Sequence, residues 1–89
     1  MDILENKNNC FIVKFGDIIN FTSYKSNIAQ YNTTSKILKL NGSKWDYSQT
    51  TLKQLKNFLN NYTDIMYTQK KEFAEEIQKN KKIILVNEI

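Results

Sequence analysis

Eighty-nine residues with a net charge of +4 and 40% apolar side chains predict one small domain, residues 1–89, with one modest core. There is no His, one Cys and only two Gly (Gly16 and Gly42), which excludes the commonest general base, the usual zinc-ligand sets and a glycine-rich phosphate loop. All thirteen basic residues are Lys, and the missing Arg removes the bidentate reader of guanine, which argues against sequence-specific DNA recognition.

Residues 1–9 are polar and read as a frayed, flexible end. Cys10 to Phe15 is β-branched and aromatic, and predicts a strand; Gly16-Asp17 is a turn signal, and Ile18 to Tyr24 a second strand. Lys25-Ser26-Asn27 reads as a turn or bulge. Ile28–Tyr31 and Lys36–Leu40 flank Asn32-Thr33-Thr34-Ser35 as the arms of a hairpin, with Leu38 and Leu40 turned to the core. A helix starts near Ser48, which can cap free backbone N–H groups; Thr51 with Gln54 offers an alternative capping box. Leu52, Leu55, Leu59 and Tyr62 fall at helical spacing, Lys53 and Lys56 fall on the other side, and Asn60-Asn61 is the expected stop. After an ambiguous stretch from Thr63 to Tyr67, Gln69–Lys79 reads as a second helix with Phe73, Ala74 and Ile77 inward and Thr68 as its cap. Ile83 to Val86 is an apolar strand expected to pair inside the sheet. The order predicts an α+β fold: a mostly antiparallel sheet of four to five strands with two helices on one face.

The acids give no catalytic signal. Glu72 and Glu76 share a helix face, but Lys79 follows Glu75 by four residues and Glu76 by three, the spacing of ion pairs on a solvated surface. Cys10 opens an apolar strand and lacks a His to activate it, so it reads as a core residue. The expectation is a non-enzyme with no cofactor and no metal. The lone Cys, the acidic start without a long apolar run and the lack of any ~20-residue apolar span point to the cytoplasm rather than to secretion or a membrane.

Two groups of residues carry the binding candidates. Trp45-Asp46-Tyr47 precedes a helix: its aromatics serve either as core staples or as an interface anchor, and Asp46 complements the positive helix end. Lys53 and Lys56, with Lys36 and Lys39 on the last hairpin arm, would form a basic patch if they converge; the plain alternative is an ordinary lysine-rich surface.

Trp45 to Leu59 resembles a group of small phage and prophage proteins of Gram-positive bacteria that share the pattern Trp-Asp-Tyr-Ser-x-Thr-Thr-x-Lys-x-Leu-x-x-Phe-Leu. The match falls at Trp45, Asp46, Tyr47, Ser48, Thr50, Thr51, Lys53, Leu55, Phe58 and Leu59, with Phe21-Thr22-Ser23-Tyr24 and Ile28-Ala29 as a similar lead-in. The chain departs at Gln54, where the group often has His. The resemblance implies a phage accessory protein in the cytoplasm of a bacterial host. Its expected action is to bind and inhibit a host defence protein, foremost as an anti-CRISPR blocking a CRISPR effector nuclease or engaging its guide RNA or DNA. The alternatives are a small nucleic-acid-binding or transcription-related module and a phage assembly factor.

Overall fold

The structure, a computed structural model, describes residues 1–87. Five strands follow one another as β1 (Asp2–Lys7), β2 (Cys10–Phe15), β3 (Ile18–Ser23), β4 (Ser26–Asn32) and β5 (Leu38–Asn41). Helices α1 (Gln49–Tyr62) and α2 (Lys70–Lys79) then precede a last strand, β6 (Ile83–Val86). The sheet order is β1-β2-β3-β4-β5-β6, antiparallel except for the parallel β5–β6 pair. The fold is thus α+β, with six strands in a mostly antiparallel sheet.

The extra strand comes from the segment expected to fray. Residues 2–7 pair along β2, from Asp2 opposite Lys14 to Lys7 opposite Cys10. The reason is the turn: Asn8 and Asn9 both hold positive φ (55° and 62°), the geometry of a tight hairpin turn that Asn tolerates. The apolar run of β6 is a second correction. Among the described residues it pairs with β5 alone and forms an edge of the sheet, and the crossover through α1 and α2 is what allows that pairing to be parallel.

Alternation along the strands separates the two faces. Ile12, Ile19, Phe21, Ala29, Tyr31, Leu38 and Leu40 join one buried cluster with Leu52, Leu55, Phe58 and Leu59 of α1 and Phe73 of α2. Phe21 stacks on Phe58 with ring centroids 5.3 Å apart. A bulge in β4 opposite Phe21 and Thr22 lets both Ile28 and Ala29 enter the core. Each large apolar side chain buried in this way contributes about 1.5–3 kcal/mol.

Ser48 is the N-cap of α1, and its hydroxyl accepts from Thr51 N–H at 3.1 Å. The helix runs through Asn60-Asn61 and stops at Thr63, in extended backbone; Thr63 donates from its hydroxyl and its N–H to the Leu59 carbonyl. Asn60 is not a stop but a clamp. Its amide accepts from Tyr67 N–H at 3.0 Å and donates to Tyr67 C=O at 3.2 Å, fixing the α1–α2 connection. In that connection Ile65 and Tyr67 point inward while Met66 is exposed.

Candidate functional site

The segment that aims Trp45 is built by Asn41. Its carbonyl accepts from Lys44 and Trp45 N–H groups, and its side chain accepts from Ser43 and donates to the Asn27 carbonyl. Trp45 therefore turns into the core, where it meets Phe73 edge-on at 5.7 Å; Phe73 in turn lies 4.9 Å from Tyr67. This aromatic row seats α2 beside α1 and leaves a groove between them.

The open groove has a volume of about 460 Å³ and is lined by Gln49, Leu52, Lys53 and Lys56 of α1, by Tyr67 and the two residues after it, and by Lys70 at the start of α2. Leu52 and Tyr67 are nearly buried and form its floor, whereas Lys53, Lys56 and Lys70 are exposed along its walls. Asp46 reaches Lys70 at 3.7 Å at one end. Burial raises the Tyr67 phenol, and the Asp46 carboxylate pushes it further the same way. The result is an apolar floor between positive walls, suited to an extended acidic segment.

Of the residues expected to bind a partner, Asp46, Lys53 and Lys56 come together here. Trp45 is buried beneath, as a support rather than a contact. Tyr47 is half exposed, with the Lys44 ammonium 5.5 Å above its ring. Lys36 and Lys39 do not converge with the groove. Lys36 pairs with Asp64 at 3.3 Å, and Lys39 sits on the uncovered face of the sheet near Ile18, Gln30 and Ile37. Lys70, Leu52 and Tyr67 complete the groove; helical spacing marks Leu52 in the sequence, but no local pattern marks its meeting with Tyr67 and Lys70.

A polar chain underlies α1. Ser48 donates to Thr51, Thr51 to Ser23, Ser23 to Gln54 at 2.6 Å, and Gln54 to the Asn8 carbonyl at 2.8 Å. Gln54 thus joins the helix to two sheet segments, using both the acceptor and the donor of its amide. Nearby, Glu5 accepts from Tyr62 at 3.2 Å and from the Cys10 thiol at 3.9 Å. Burial and the Glu5 carboxylate raise that thiol to about 11, which favours the neutral form of this buried side chain. Among the described residues no three Cys, Asp or Glu side chains gather to hold a metal ion, and no helix is long and apolar enough to cross a membrane.

A family model matches residues 2–81, from β1 through α2. The chain belongs to DUF8033, a family of unknown function. No curated protein and no solved structure matches it. The DUF8033 match spans every residue of the lysine groove and stops before β6.

Proposed function

We propose that this protein acts by binding, with the groove between α1 and α2 as the contact surface for an acidic segment of a partner protein. The observation that carries this reading is the convergence of Lys53, Lys56 and Lys70 around the apolar floor of Leu52 and Tyr67. Positive walls steer and orient an acidic segment, while the floor supplies desolvated contact area. The phage resemblance of Trp45 to Leu59 gives the setting: the partner is a bacterial defence protein, and a CRISPR effector nuclease is the first class to try. Binding that covers such a surface would inhibit it without any chemistry by this chain.

The test is capture of CRISPR effectors from lysate by the tagged protein, with and without nuclease treatment, followed by titration of any captured effector. Recovery in both conditions, with affinity lowered at least about tenfold by Lys53→Glu plus Lys56→Glu, is the expected result. Both lysines are exposed, so the folded state should survive the change. The nucleic-acid reading rests on the same lysines and makes a different prediction. Recovery would then require intact nucleic acid, and affinity would fall with salt at a slope near the number of phosphate contacts, about three here.

A further inference from the structure

The two edges of the sheet differ in kind. β1 carries Asp2, Glu5 and Lys7 and is interrupted by a bulge at Leu4, between Ile3 and Glu5; charges and bulges are the usual devices that stop an edge from pairing. β6 has neither. It reads Ile83-Ile84-Leu85-Val86, pairs with β5 in unbroken register, and leaves Ile84 40% and Leu85 50% exposed.

The backbone of β6 shows which groups face outward. The Lys82 and Val86 carbonyls accept from Leu38 and Gly42 N–H, both at 2.7 Å, so residues 82, 84 and 86 direct their peptide groups to β5. Ile83 and Leu85 direct theirs to the open edge. Ile83 N–H is taken by the Asn80 carbonyl at 3.0 Å, and Leu85 presents both its donor and its acceptor.

We propose that a second copy of this chain pairs with β6 antiparallel, about a two-fold axis at Leu85, to give one continuous sheet of six strands from each copy. Leu85 opposite its own equivalent exchanges both hydrogen bonds, which is the closed, self-satisfying arrangement of an antiparallel pair. Ile84 then lies opposite Val86 of the second copy, so the strand's exposed aliphatic side chains cover one another. Charge placement agrees. Lys81 and Lys82 stand only at the entry to β6, and the antiparallel arrangement holds the two Lys82 side chains about 20 Å apart along the strands, beyond the screening length of about 8–10 Å at ordinary salt. A parallel pairing would set them side by side.

Sedimentation equilibrium of the full chain over a wide concentration range tests this. The wild type is expected to dimerise. Leu85→Lys and Leu85→Asp should each weaken self-association on the order of tenfold, and an equimolar mixture of the two should recover it by pairing opposite charges. Leu4→Lys, at the opposite edge, should leave it unchanged. Circular dichroism confirms that each variant is folded, and the mixture separates lost folding from lost pairing. A wild type that stays monomeric at every concentration overturns the proposal, as does a dimer indifferent to both Leu85 changes or a mixture that does not re-associate.

Discussion

Tyr31 is 2% exposed, and its phenolic oxygen has no hydrogen-bond partner among the described residues. Tyr62, by contrast, sits at the end of α1 and gives its hydroxyl to Glu5. A buried hydroxyl left without a partner costs about 1–3 kcal/mol, whereas removing it keeps the ring and its packing. Tyr31→Phe is therefore expected to raise the unfolding free energy by about 1 kcal/mol, read as a higher urea midpoint at unchanged slope. A lower midpoint would show that the hydroxyl contributes a bond after all. At this scale the sequence is informative about Trp45 only as a choice between core and interface. Asn41 settles the choice by turning the chain so that Trp45 lands on Phe73, a contact between residues 28 apart that no local pattern encodes.

The hairpin between β3 and β4 turns through Tyr24 (φ 49°) and Lys25 (φ 69°), two residues poorly suited to the left-handed region. That conformation costs a side-chain-bearing residue about 1–2 kcal/mol, and glycine avoids the cost at an entropic penalty of about 0.5–1 kcal/mol. Lys25 is exposed, so little packing is at stake. Lys25→Gly should stabilise the fold by roughly 0.5–1 kcal/mol, and Lys25→Val should destabilise it; thermal unfolding of the two variants decides. Opposite signs are the expected outcome, and equal shifts would remove the strain argument. This turn shows where local reading stops. Leu38 and Leu40 on one face, the Ser48 cap and the α2 core residues are all legible, because periodicity and capping are local. The sequence signals this turn one residue late, at Lys25-Ser26-Asn27, since Tyr24 carries no turn signal and the hairpin register imposes the conformation. β1 gives no strand signal because its charged residues are those of an edge strand, and β6 reads as an inner strand because apolarity alone does not distinguish a centre from an unprotected edge.

Across the whole molecule, helical spacing put Lys53 and Lys56 on one side of α1, but their meeting with Lys70 depends on how α2 docks. That docking rests on the Trp45–Phe73–Tyr67 row and the Asn60 clamp, contacts far apart in sequence. A second long-range tie joins the opposite end of the sheet to α1: Glu5 of β1 accepts from Tyr62, and Cys10 lies beside the same carboxylate. Burial first, and the Glu5 charge second, raise Cys10 from 9.0 to about 11 and move Tyr62 upward as well. The sign follows directly. Below pH 9 the thiol is protonated whether the chain is folded or not, and its contribution to stability is fully present. Between pH 9 and about 11 the unfolded chain releases the proton while the folded chain retains it, so the folded state binds more protons and stability falls as pH rises. The Tyr62 phenol adds a loss of the same sign above its ordinary value of 10.0. Glu5→Gln removes the charge but not the burial, so the alkaline decline should become shallower without disappearing. Urea midpoints taken from neutral pH to pH 11 for the wild type and Glu5→Gln measure this. Parallel declines in the two proteins would mean that the carboxylate does not hold these protons, and that the tie between β1 and α1 is weaker than its geometry indicates.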